Sequence, residues 1–357
     1  MEKINVAVIF GGRSPEHEIS KLSVTTILAN MSAEKYNIIP VYITRDGRWI
    51  LYDGGVENIK NLSDAQLEKF GASCALSPDS SHKCFLRIVG DKVKRVSVDV
   101  IFPALHGSNG EDGRIQGVFE MAETPYVGCG VLSSALATDK TFSKIVAATT
   151  GVTQARHIAF RADDLKNMDE AAKKVRYRLG YPCFVKPANT GSSVGVSKAA
   201  NKNELIEALR NALKYDNKVL VEKAIKGREL ECAALGFRGD VEASPVGEIL
   251  PAGDFYDYDS KYNDSGSKTI VPADLPKEKA QEIRDAAVSI FKAFDCVGLA
   301  RIDFFLEEIT NRVIFNEINS MPGFTAISMY PTLWNEAGVT TCELIDKLIE
   351  IGLKRNE

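Results

Sequence analysis

The stretch GLARIDFFLEEITNRVIFNEIN, residues 298–319, decides how this chain is read. It holds two apolar runs, Gly298–Glu307 and Val313–Asn319, each with polar groups spaced two apart. Successive strand side chains alternate faces, so Arg301 and Asp303 share one face, and Glu317 and Asn319 share a face by the same rule. The polar link Glu307–Arg312 is short enough to fold the two strands into an antiparallel pair. Two carboxylates and one amide oxygen then converge. Oxygen-only ligands of this kind suit Mg²⁺, which completes its octahedron with waters and substrate phosphates. One such pair alone would read as solvated charge on an outer face. Asn319, and Arg301 at the same spacing from Asp303, favour a metal site made of Asp303, Glu317 and Asn319.

Working outward, the next signal is Ala188–Gly195, a small, polar, Gly/Ser-rich segment that follows the apolar run Pro182–Pro187. Its backbone N–H groups can close over phosphates, although a hairpin turn explains the composition equally well. No Gly-Lys-Ser/Thr follows the second glycine, so it is not a Walker A loop. Lys186, just upstream, could bring a buried-stem ammonium to a phosphate, and Lys140 on an earlier helical stretch is a second candidate. Near the amino terminus, Ile4–Phe10 is an unbroken apolar run ending at Gly11-Gly12. G-x-G-x-x-G is missing, and Glu16 and Glu18 follow at once, which fits an ammonium group better than a pyrophosphate. This argues against a nicotinamide-dinucleotide enzyme. His106 sits at the carboxyl end of Val98–Leu105, where open α/β sheets bind ligands, although a lone histidine is as often structural.

The runs Ile4–Phe10, Ile38–Ile43 and Val98–Leu105 fit strands covered on both faces, so residues 1–128 are expected to form an α/β domain with a parallel sheet. A helix is expected over 133–150, then strands and helices alternate to Lys218–Ile225. Antiparallel strands are expected at Arg228–Phe237 and Val241–Ile249, and helices at Pro276–Phe294 and Cys342–Leu353.

The composition narrows the function. The 357 residues are 45% hydrophobic and 26% charged, which suits two or three domains of a soluble protein. The net charge of −4, without a Lys/Arg block, gives no basic face for nucleic acid. Ile4–Phe10 is too short for a membrane span and lacks a cleavage pattern, so a cytoplasmic protein without a membrane partner is expected. Seven scattered cysteines without a C-x-x-C pair argue for reduced thiols rather than a disulfide framework or a zinc site.

Taken together, Gly11–Ser20, Leu105–Gly113, Val185–Ser197, Asp254–Tyr262 and Gly298–Ser328 resemble, in order, the motifs of the D-alanine–D-alanine ligases, members of the ATP-grasp superfamily. The resemblance implies an ATP-grasp fold behind an amino-terminal Rossmann-like domain. Its three parts would be a substrate-binding domain over 1–128, a central lobe over 129–221, and a carboxyl-terminal lobe over 222–357 carrying the lid loop and metal site. It implies a homodimer acting in cell-wall peptidoglycan synthesis.

The resemblance also implies roles. Lys140 and Lys186 would meet the ATP phosphates. Glu222 would meet the adenine amino group, helped by backbone near Lys223 and Ile225, and Glu229 would take the ribose hydroxyls. Asp303, Glu317 and Asn319 would hold two Mg²⁺, or Mn²⁺, with Glu317 bridging. Arg301 and the Gly323 N–H would stabilise the oxyanion of a tetrahedral intermediate. Glu16 would bind the ammonium of the first D-alanine with His106 near its carboxylate, and Ser328 the carboxylate of the second. Ser192 and Tyr262 would join Glu16 in a hydrogen-bonded triad closing the lid, with Lys261 aimed at the phosphate in transfer. The chain departs from many relatives at Ala326-Ile327, where they carry Ser-His. Tyr262 in the lid disfavours a D-alanyl-D-lactate product and leaves D-serine open as second substrate. A non-catalytic nucleotide-binding module is the remaining reading, and intact Lys186, Asp303, Glu317 and Asn319 speak against it.

Overall fold

The computed structural model describes residues 2–250 and 268–356. The first sheet contains β1 (Ile4–Gly11), β2 (Tyr36–Ile43), β3 (Trp49–Tyr52), β4 (Gly71–Leu76), β5 (Cys84–Val89), β6 (Lys92–Ser97) and β7 (Val100–Pro103). Its order is β6-β5-β4-β3-β2-β1-β7. The expected parallel sheet is confined to β2-β1-β7, and the rest pairs antiparallel, so the sheet is mixed. The parallel strands, and the short β3 beside them, are apolar on both faces. Val6, Val8 and Phe10 enter one core while Ala7 and Ile9 enter another, which is why β1 carries an unbroken apolar run. Helices α1 (His17–Asn30), α2 (Asp64–Lys69) and α3 (Arg114–Met121) lie between its strands or follow them in the chain. Ser63 and Gln66 form a capping box that starts α2.

The helix expected over 133–150 is two helices, α4 (Val131–Thr138) and α5 (Lys140–Ala148), broken at Asp139. The Asp139 carboxylate accepts the Thr141 and Phe142 N–H groups and caps α5. Both helices pack on the third sheet described below rather than on the second, with Ala137 and Ala147 in its core.

The second sheet, β10-β9-β11-β8, is built from β8 (His157–Arg161), β9 (Cys183–Pro187), β10 (Ser197–Ala199) and β11 (Lys218–Lys223). Helices α6 (Met168–Arg178) and α7 (Lys202–Ala212) cover one face, burying Val185, Val219 and Val221 in a core of their own. Alternation therefore turns Lys186 and Glu222 to the opposite face.

The third sheet, β14-β13-β12-β15-β16, is antiparallel throughout. Its strands are β12 (Gly227–Phe237), β13 (Asp240–Leu250), β14 (Lys268–Ile270), β15 (Gly298–Glu307) and β16 (Val313–Asn319). Helix α8 (Lys277–Ala293) covers Leu230, Cys232, Ile302 and Phe304. Helices α9 (Met329–Glu336) and α10 (Thr341–Leu353) follow, and Trp334, Leu344 and Leu348 share a core with Val6, Val8 and Phe10 of β1. The first and third sheets thus share one apolar core.

Candidate active site

Side-chain contacts link the three sheets at the candidate site. On the third sheet, Asp303 lies opposite Glu317, and Arg301 opposite Asn319. The expected antiparallel pair is present, with one refinement. The register slips between Asp303 and Phe304, leaving Asn316 as an extra residue between Phe315 and Glu317. Phe315 points into the core, and the bulge is what turns Glu317 to the Asp303 side. Arg301 grips Asp303 with two bonds, Nε and one terminal nitrogen each donating at 2.8 Å. The amide nitrogen of Asn319 donates to Asp303 at 3.1 Å, which leaves its oxygen for a cation. Glu231 on β12 stands 3.0 Å from Arg301. Burial opposes the charge of Arg301, but Asp303, Glu231 and Glu317 together hold it well above its ordinary pKa.

Lys186 faces this cluster from the second sheet. Its ammonium lies 2.8 Å from Glu222 and donates to the side-chain oxygen of Asn316 at 3.4 Å. Lys144, on α5, sits 2.8 Å from the other Glu222 oxygen. Burial works against the charge of Glu222, yet Lys144 and Lys186 outweigh it and hold the carboxyl well below the usual glutamate range. For Lys144 burial dominates and lowers its pKa, whereas Glu222 and Glu317 raise that of Lys186 against burial. The Glu222 side chain is therefore paired with two ammonium groups. Lys223 and Ile225 lie where the chain passes from the second sheet to the third, and the Lys223 N–H bonds the Arg156 carbonyl. Glu229, on β12, is one of the carboxylates acting on Lys186.

The loop Ala188–Gly195 reaches the first sheet. Ser192 donates its hydroxyl to the Glu16 carboxylate, joining residues from two of the expected lid contacts. Ser192 and Ser193 are left-handed, at φ +47° and +58°, an uncommon conformation for non-glycine residues. Lys140 donates its ammonium to the Thr190 carbonyl in the same loop. Gly107 has φ +70°, and a Cβ there would lie 2.3 Å from a Glu16 oxygen, so the seat of Glu16 requires glycine.

His106 is 5% exposed, and both ring nitrogens are engaged within the protein. Nδ1 faces the Met321 carbonyl at 3.3 Å, and Nε2 meets the Ser23 hydroxyl at 2.8 Å. A carbonyl can only accept, so Nδ1 carries the proton of that bond. Burial disfavours charge on the ring, but Glu111, Glu16 and the Met321 carbonyl outweigh it and raise its pKa. His106 thus braces the turn after β16 from behind. Past that turn, Ser328 accepts from the Thr325 N–H at 3.0 Å, and a Cβ on Gly323 would lie 2.9 Å from the Ser328 hydroxyl. Lys261 and Tyr262, with the segment 254–262, lie outside the described residues.

Sequence reading missed Lys144, Glu231, Ser23 and Glu111. Two of them carried a signal. Lys144 stands four after Lys140, on one helix face, and Glu231 stands two from Glu229, on one strand face.

The whole chain is similar to known proteins. Residues 5–129 match the family described as D-ala D-ala ligase N-terminus, and residues 146–350 match D-ala D-ala ligase C-terminus. The D-alanine--D-alanine ligase of Caldicellulosiruptor bescii is 46% identical, covering 100% of this chain and 97% of its own. That of Acetivibrio thermocellus is 47% identical over 99% of this chain and 97% of its own. Among solved structures, the VanG D-Ala:D-Ser ligase from Enterococcus faecalis superposes with a TM-score of 0.90 at 38% identity, covering 98% of this chain and all of that one. The D-alanine-D-alanine ligase from Coxiella burnetii gives 0.88 at 34%, covering 100% of this chain and 95% of that one.

Proposed function

This chain belongs to the D-alanine–D-alanine ligase family, and from that membership we propose that it joins two D-alanine molecules, using ATP, for peptidoglycan precursors. The observation that supports the reading is that Ser192, in the loop after Lys186, bonds Glu16, while Lys186 itself reaches Asn316 beside the Arg301/Asp303/Asn319 cluster.

In this reading Glu16 takes the ammonium of the first D-alanine and Lys140 and Lys186 take the ATP phosphates. The D-alanine carboxylate attacks the γ-phosphorus, an O–P bond forms, and the bond to ADP breaks. The neutral amine of the second D-alanine then attacks the acyl carbon. Arg301 and the Gly323 N–H stabilise the oxyanion, phosphate leaves with the C–O electron pair, and the new amide sheds its extra proton. Ser328 holds the second carboxylate. Ser192 on Glu16, with Tyr262, closes the lid, and Lys261 serves the phosphate in transfer. Main chain near Lys223 and Ile225 takes the adenine, and Glu229 the ribose.

The donor set fits divalent cations: two carboxylates opposed across a ladder and an amide oxygen left over by its own hydrogen bond. Asp303, Glu317 and Asn319 would hold two Mg²⁺ or Mn²⁺, which neutralise phosphate charge when bound. We assign residues 1–128 to first-substrate binding, 129–221 to the central lobe and 222–357 to the carboxyl-terminal lobe. No helix among the described residues is long and apolar enough to cross a membrane. A cytoplasmic homodimer completes the proposal.

The superposition on a D-Ala:D-Ser ligase makes D-serine the second candidate for the second substrate. The test is product analysis with ATP, Mg²⁺ and competing D-alanine, D-serine and D-lactate. D-alanyl-D-alanine as main product is expected; phosphate release only with another amino acid would overturn the assignment.

A further inference from the structure

Lys144 is 2% exposed, deep beneath the cleft. Its ammonium lies 2.8 Å from Glu222, 3.0 Å from the Asn316 carbonyl and 3.3 Å from the Phe315 carbonyl, and 5.2 Å from the centre of the Phe315 ring. Two main-chain carbonyls accept hydrogen bonds from the ammonium and the Glu222 carboxylate forms its ion pair. What it touches is informative. Glu222 holds Lys186, and Phe315 and Asn316 flank the bulge that aims Glu317.

Counting charge gives it a task. Lys186 paired with Glu222 alone would be a neutral couple, its charge spent before any phosphate arrived. With Lys144 on the other oxygen, two ammonium groups share one carboxylate, and the trio by itself carries one positive charge beside Glu317 and Glu229. We infer that Lys144 is a positioning residue for ATP: it neutralises Glu222, so that Lys186 keeps its charge for the phosphates, and it pins the Phe315–Asn316 bulge behind Glu317. The inference rests on the reading of Lys186 and Glu317 given above. It adds a residue that never touches substrate.

The test measures equilibrium ATP and adenosine binding, and steady-state KM for ATP and D-alanine, on the full chain. Lys144→Met weakens ATP binding roughly 10- to 100-fold, the effect of one unit charge at several ångström through an effective dielectric of about 20. Adenosine, which has no phosphate, and the KM for D-alanine stay within about twofold, a split that loosened packing alone would not give. In the double variant Lys144→Met/Glu222→Gln the ratio of ATP to adenosine affinity returns to within about threefold of the parent, because a neutral Gln no longer consumes the charge of Lys186, and adenosine alone reads any effect of Glu222 on the base. Unchanged ATP binding in Lys144→Met, or equal losses for ATP and adenosine, overturns the inference. Should Lys144→Met not fold, the double variant decides: a tenfold fall in that ratio overturns it. A parent protein that binds ATP but makes no dipeptide refutes the ligase reading instead, and leaves the binding comparison standing.

Discussion

Replacing Asp303 by Asn separates the structural and catalytic parts of the proposed metal site. Asp303 accepts two charge-assisted bonds from Arg301, each 2.8 Å, and one from Asn319 at 3.1 Å. Asn keeps one acceptor oxygen and turns its NH₂ toward a donor, so at least one charge-assisted bond is lost, about 1.5–3 kcal/mol. Removing one charge beside Glu231 and Glu317 returns about 1 kcal/mol. The net cost of about 1–2 kcal/mol lowers the thermal midpoint by roughly 2–8 °C. Turnover falls further, by about 10²–10³, the scale for removing one preorganised group from developing charge. Glu231→Gln is the control, since Glu231 touches the same Arg301 at 3.0 Å and is not a proposed ligand. It loses similar stability and keeps turnover within about tenfold. Differential scanning fluorimetry and phosphate-release kinetics across a Mg²⁺ titration read both quantities. Asp303→Asn turning over like the parent at saturating Mg²⁺, or the two variants losing activity equally, would refute the ligand assignment.

Other outcomes follow from the same geometry. Gly107→Ala is strained at φ +70°, but its Cβ meets side-chain ends rather than main chain, the Glu16 oxygen at 2.3 Å and the Ser14 hydroxyl at 2.5 Å, so it folds with reduced stability. It raises the KM for D-alanine by about 10-fold or more through a displaced Glu16 and leaves that for ATP unchanged; initial-rate kinetics check this. His106 has a raised folded pKa, so its ionic contribution to stability is complete below its unfolded value near 6.5 and is lost as pH rises through the folded one. The gap in thermal midpoint between the parent and His106→Gln therefore narrows from pH 6 to pH 9, and a constant gap would remove Glu111 and Glu16 from the account.

Much of this was legible in the sequence where local pattern and burial agree. β15 and β16 have the expected limits because apolar core residues alternate with spaced charges across a short polar link. β1 was legible because helices and cores cover both of its faces. β3 to β6 were not, since β6 exposes Lys92, Val93, Lys94 and Arg95 on both faces and is held by main-chain pairing to β5. Asp139 hid a helix boundary, because a cap and a surface acid look alike before φ and ψ are known. The bulge at Asn316 leaves no mark in composition. Lys144 reads as a solvated helix lysine until the fold brings Glu222 beneath it. The pairing of Glu222 with two lysines was hidden for the same reason, since its partners lie on other elements.

The way the cores are shared sets how the molecule can move. The first and third sheets are fused by Val6, Val8 and Phe10 against Trp334, Leu344 and Leu348, whereas the second sheet keeps its apolar contacts to itself. The chain crosses between these bodies twice, around residues 149–156 and 224–226. Mechanically the three sheets make two parts, a frame and a door on a double hinge. Polar contacts such as Ser192 to Glu16 and Lys186 to Asn316 are its latch, and these part at far lower cost than a buried core. Because that latch closes onto Glu16, the door comes to rest on the residue proposed to receive the first amino acid, and opening it is the expected way out for the dipeptide.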